Sequence, residues 1–313
     1  NLIPGKEDYL WGCGTWNGVY GKFDLGGEIR EIAGYDAGTD PVRGGAADGT
    51  MYTLHLTNGT LIVNNPSRAR HTGKCYTVYA DTTLTIKGPT SGGCISGFAY
   101  GEKVETWKVM AGGRMNVLTP DYRLVGLKCE VDEGGVLCFN PDKFCLHNEY
   151  NTPSSFANSG IFIAPRGILW NGSDAWGGPK KMTVTQRAGT MYFGGNFTKT
   201  SADEKVASME FVLAGGTLVA SNAVAFVDNA HNEVSASMTG SATVETAEDA
   251  VLDMSLFTYS DGVTLTKTGA GLLILDSRPS ALSVAAGTVR FDAATDGTGV
   301  TLAPGTAVVF GAQ

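Results

Sequence analysis

One short phrase recurs along this chain: a small turn ending in glycine, followed by alternating apolar residues. It stands at Asn58-Gly-Thr-Leu-Ile-Val63, Gly112-Gly-Arg-Met-Asn-Val-Leu118 and Gly134-Gly-Val-Leu-Cys-Phe139. It returns at Arg166-Gly-Ile-Leu-Trp170, Ala188-Gly-Thr-Met-Tyr-Phe193 and Gly215-Gly-Thr-Leu-Val-Ala220, then at Ala286-Gly-Thr-Val-Arg-Phe291 and Pro304-Gly-Thr-Ala-Val-Val-Phe310. Its second glycines lie 22 residues apart from 113 to 135 and from 167 to 189, 27 from 189 to 216, and 18 from 287 to 305. Apolar residues at a period of two specify half-buried strands. A turn and strand repeated every 20 or so residues specifies a coil of short strands that buries its apolar face by stacking on the next.

The expected fold is therefore all-β, a parallel β-helix. The alternative is an antiparallel β-sandwich, for which Asn58-Gly59 and Asn171-Gly172 supply two hairpin signals. A repeated turn-and-strand phrase has no reason to occur in a Greek key, so the solenoid is preferred. The phrases beginning at Gly189, Gly216, Gly287 and Gly305 are expected to open strands of one parallel sheet. Residues 1–50 differ: Tyr9, Trp11, Trp16, Tyr20 and Phe23 alternate with glycines, as in a terminal cap over an open core. Residues 51–313 form the β-helix, with a loop excursion near 140–159.

Composition agrees. Glycine, at 43 of 313 residues, is about twice its usual share of roughly 7 %, while 11 prolines are too few for disorder. A net charge of −8 with no Lys/Arg-rich face argues against nucleic acid and anionic membranes as partners. No apolar run reaches the 18 or so residues of a membrane span, so membrane insertion by this stretch is not expected.

Six cysteines, Cys13, Cys75, Cys94, Cys129, Cys138 and Cys145, lie in the first half, an even count that suits an oxidising compartment. Cys75 and Cys94 are 19 residues apart, about one coil. Stacked coils lie about 4.8 Å apart, within disulfide reach, so this pair is the first choice for a bridge. Zinc on Cys129, Cys138, Cys145 and His147 is a weaker reading for want of a CxxC knuckle, and free buried thiols are the third. No metal and no cofactor are expected.

The segment Asp261–Asp292 carries the densest pattern, with Leu265-Thr-Lys-Thr-Gly-Ala-Gly-Leu-Leu-Ile-Leu275 followed by Ala285-Ala-Gly-Thr-Val-Arg-Phe291. It resembles the passenger-associated repeat of bacterial autotransporters, over about a tenth of the chain. The resemblance implies a right-handed, pectin-lyase-like parallel β-helix, exported from a bacterium and displayed at the cell surface or outside the cell.

No nucleophile elbow, zinc helix or phosphate loop is present, and no catalytic residue is assigned. Asp132-Glu133 alternate faces if extended, Asp121 and Arg123 share one, and Asp292 and Asp296 suit a surface turn better than a calcium site. For binding, Trp170, Asn171, Asp174 and Trp176 read as a loop on which sugar rings stack and hydroxyls hydrogen-bond, against the plainer role of packing over the sheet. The expected function is an extracellular structural or adhesive scaffold with a glycan or host surface protein as partner. The alternative is a polysaccharide-active enzyme, hydrolase or lyase, on the same fold.

Overall fold

A computed structural model of the chain describes residues 22–32, 52–64, 74–87, 94–96, 106–118, 122–125, 128–139, 144–148, 154–172, 180–199, 207–227, 232–293 and 299–310. Among the described residues there are 32 strands and no helix, hence no helix long and apolar enough to cross a membrane. The strands form four parallel sheets. Sheet A has ten strands, from Lys22–Asp24 to Phe257–Tyr259, and sheet B twelve, from Ile29–Ile32 to Val300–Leu302. Sheet C has five, from Cys94–Ser96 to Phe197–Lys199, and sheet D five, from Ala223–Ala225 to Ala307–Phe310. Among the described residues the chain passes twice through A and B, then through A, B and C, then A, B and D, and after Tyr259 through B and D alone. This is a parallel β-solenoid and not an antiparallel sandwich.

Neither Asn-Gly pair forms a hairpin. Asn58 (φ 55°) and Gly59 (φ 138°) turn the chain from Tyr52–Thr57 in sheet A into Gly59–Asn64 in sheet B. The two strands do not pair with each other; the turn is a corner. Asn171 and Gly172 are not a turn at all but the end of the strand Ile168–Gly172. Within 140–159, Phe144–Asn148 pairs in sheet C and Ser154–Asn158 in sheet A, and residues 140–143 and 149–153 lie outside the described residues. Of the expected cap, the aromatic residues Tyr9 to Tyr20 lie outside the described residues, whereas Lys22–Asp24 and Ile29–Ile32 already pair in register with the next coil.

The Gly-Thr phrases all open parallel strands, but not in one sheet. Thr190–Phe193 and Thr217–Ala220 belong to sheet B, whereas Thr288–Phe291 and Ala307–Phe310 belong to sheet D. The reason is a change of coil. Thr190 lies on Thr217, a step of 27 residues, but Thr266 lies on Ser283, a step of 17. The later coils omit the sheet A strand, and the glycine turn serves the B-to-D corner instead of the A-to-B corner.

Inward residues stack in columns. In sheet A, Cys129, Phe156, Val184, Phe211, Ala236 and Phe257 are successive partners, all buried. In sheet B, Leu61, Leu84, Met115, Leu137 and Phe162 do the same, continuing through Met191, Leu218 and Val244. Aromatic rings knit the sheets together: Phe226 packs 4.9 Å from both Phe211 and Phe257, the latter edge-on. Each such ring contributes about 1.5–3 kcal/mol by burial, plus roughly 0.5–1.5 kcal/mol for favourable ring geometry. In the strand Leu272–Leu275 the inward residues are Leu273 and Leu275. With apolar residues at all four positions, periodicity has nothing to choose between.

Glycine is required where a corner presses on the coil beneath. Gly216 has φ +73°, and a Cβ there would lie 2.6 Å from the Gly189 carbonyl oxygen and 2.7 Å from Gln186 Nε2. Gly262 has φ +77° with open space around it. Gly262→Ala is expected to cost about 1–2 kcal/mol, the left-handed backbone term alone. Gly216→Ala should cost at least about 1 kcal/mol more, because backbone must shift as well. Urea unfolding of both variants checks this, and equal losses would mean that corner contacts do not constrain the coil.

Candidate functional site

The outer face of sheet A gathers the densest set of ionisable side chains among the described residues. Strand alternation buries Leu56, Val78, Val109 and Val131 and turns their neighbours outward. His55, Thr77, Lys108 and Glu130 then stack as partners on four successive coils. Tyr79 and Asp132 each follow directly on the last residue of their strands, Lys74–Val78 and Lys128–Val131. His55 Nδ1 lies 3.2 Å from the Tyr79 hydroxyl. Lys108 Nζ stands 3.4 Å from Glu130 Oε2 and 3.4 Å from Asp132 Oδ1. Partial burial works against the Lys108 charge, but Asp132 and Glu130 outweigh it and raise the lysine above its ordinary value. Lys108 is therefore a fixed cation and not a base. Ion pairs this exposed stabilise by about 0–1 kcal/mol, so the cluster contributes little to the fold and leaves its polar groups facing outward.

Sequence reasoning missed Lys108 and Glu130. The signal was available, because they are 22 residues apart, the same step as Gly113 to Gly135. Asp132 and Glu133 are neighbours in sequence, but Asp132 joins Lys108 while Glu133 is exposed in the following turn.

Trp170 and Asn171 sit in a strand of sheet C, with Trp170 between Leu146 and Lys199 in register and Asn171 beside His147. Asp174 and Trp176 lie outside the described residues, as do Asp121 and Asp296. Asp292 is held by Arg290 through contacts of 2.5 and 2.8 Å. Cys75 is in sheet A on Thr53, and Cys94 is in sheet C beneath Tyr122. Their 19-residue spacing does not stack them on one face, because the coil there is longer than 19 residues. Cys129, Cys138 and Cys145 fall in sheets A, B and C respectively, and Cys13 lies outside the described residues. Among the described residues no group of three metal-ligating side chains converges. Cys129 is buried and free, its thiol pushed far up by burial and by Glu130. Cys138 is free on the outer side, its thiol raised by burial and lowered in part by Arg114.

Polar residues also enter the core at corners. The sheet A column running through Val109 and Val131 continues as Asn158 and Gln186 before returning to Leu213. Both amides are fully buried. Asn158 Nδ2 donates to Gln186 Oε1 at 2.7 Å, and Gln186 Nε2 donates to the carbonyls of Ala188 (2.6 Å) and Gly189 (3.2 Å). In sheet B the column through Val244 is continued by Lys267, with no exposed surface, before Val284. Its Nζ donates to the carbonyls of Thr268 (2.6 Å), Gly269 (2.6 Å) and Ala286 (3.1 Å), joining one corner to the corner of the next coil. Burial pulls Lys267 down to about 8, with the Glu245 carboxylate opposing.

The folded Lys267 lies below its ordinary value of 10.5, so the unfolded chain binds more protons between about pH 8 and 10.5 and stability rises with pH in that window. The melting temperature of the native chain minus that of Lys267→Met should therefore grow from pH 7.5 to pH 10; a shrinking gap would show that the carbonyls hold the amine protonated. The two thiols differ in a way that chemistry can read. Iodoacetamide should alkylate Cys138 in the folded protein and Cys129 only after denaturation, as followed by peptide mass spectrometry. Compared more widely, the chain matches no family model, no curated protein and no solved structure.

Proposed function

We propose that this chain is an extracellular scaffold from an exported bacterial surface protein of the autotransporter passenger type, adhesive toward glycans or a host surface protein. The observation that carries the reading is how the repeat-like segment is used. Leu265, Leu273, Leu275, Val289 and Phe291 are buried inward positions, and Lys267 and Gly269 build the corner between two narrow coils. These motif residues thus act to make one coil accept the next. Such a motif selects for length and rigidity, which is what a displayed scaffold needs.

The second reading, a polysaccharide-active enzyme, is favoured by the row His55, Tyr79, Lys108, Glu130 and Asp132. It brings carboxylates, a cation and two groups able to carry protons to one face. One experiment separates the two. The purified chain is assayed on a glycan array and, in parallel, for new reducing ends and unsaturated products on a polysaccharide panel. The scaffold reading expects retention without turnover, and Lys108→Ala with Glu130→Gln should leave the β-rich circular dichroism spectrum unchanged. Turnover that those two substitutions lower by about a hundredfold or more, the scale of general acid–base catalysis, replaces it with the enzyme.

A further inference from the structure

The outer face of sheet B differs from that of sheet A. Thr190, Thr217, Thr243, Thr266, Ser283 and Thr301 are successive partners, one on each of six coils. Their strand neighbours Met191, Leu218, Val244, Lys267 and Val284 are buried, so this column points out. At a parallel-strand spacing of about 4.8 Å it is a straight row of hydroxyls about 24 Å long. None of the six hydroxyls has a hydrogen-bond partner among the described residues. On sheet A, by contrast, Thr183 bonds Glu210 and Thr258 bonds the Ala236 carbonyl.

From Thr217 onward the row is also flat. Two positions before each of them, at the corner or the first residue of the strand, stand Ala188, Gly215, Ser241, Thr264, Ala281 and Gly299, all small. Two positions later stand Tyr192, a ring 41 % exposed at one end of the row, and Glu245, the one charged residue. A site for a single small molecule would be concave, with convergent polar groups; this surface is linear, repetitive and nearly uncharged. Each hydroxyl can donate and accept, which matches a partner whose own groups are hydroxyls, and the lack of charge leaves nothing to select a uronate or sulfated chain.

Resting on the scaffold reading above, we propose that this face docks a neutral polysaccharide in ordered, flat form, its hydroxyls meeting the threonine row. The probes are microcrystalline cellulose and chitin powder, in co-sedimentation with the full chain at fixed salt. Adsorption to at least one is expected. Replacing Thr217, Thr243 and Thr266 together by valine keeps their shape and removes three hydroxyls, and should weaken adsorption at least about tenfold. Thr217→Lys with Thr243→Lys should abolish it, while Lys181→Ala on sheet A leaves it unchanged. Equal adsorption by the valine variant overturns the docking face but not the scaffold. Failure of the native chain on both solids, with retention of a soluble glycan on an array, has the same meaning. Failure on solids and array alike overturns this inference and the glycan-adhesive reading together.

Discussion

Everything in this molecule depends on the parallel backbone ladder between successive coils. A strand of four residues, such as Thr217–Ala220, satisfies its amides and carbonyls only through the coil on either side. That ladder fixes the axial step near 4.8 Å and forces like positions of each coil into columns. Inward columns become the core, outward columns become the surfaces, and corners become the places where close packing and polar groups must be reconciled.

The corners show how that conflict is resolved. A turn exposes carbonyls toward the coil interior, where water cannot reach them and where an unmet acceptor costs about 1–3 kcal/mol. At the A-to-B corner of the middle coils the amides of Asn158 and Gln186 meet them. At the B-to-D corner of the narrow coils the Lys267 ammonium meets three at once. A buried cation is costly unless its donors are used, so the glycines around it matter: a Cβ on Gly287 would lie 2.8 Å from Nζ. The lysine and the glycines of this segment are one device.

The two outer faces follow from the same columns but differ in chemistry. On sheet A, alternating charges on neighbouring coils form cross-strand pairs around Lys108, and another between Lys181 and Glu210. On sheet B, the residue after each corner is a threonine or serine over six coils, and no charge intervenes in that column. A solenoid turns any residue preference in its repeat into a stripe, and a stripe can act as an extended surface where a pocketed enzyme would converge on a point.

The sequence by itself determined the strands, the turns and the stacking, because a period of two and a recurring glycine are local signals. Gly189, Gly216, Gly287 and Gly305 are all turn glycines with positive φ, as their phrases imply. What only the tertiary structure decided is which face each strand joins. Coil length drops from 23 to 17 residues where sheet A ends, and no local pattern records that a strand has been omitted. For the same reason Cys75 and Cys94 fall on different sheets despite their spacing, and Lys108 meets Asp132 although they are far apart in sequence. Lys267 reads as a surface residue in a polar Thr-Lys-Thr run, yet the register that stacks it between Val244 and Val284 buries it. Local preference sets the strand; long-range register sets what its side chains meet.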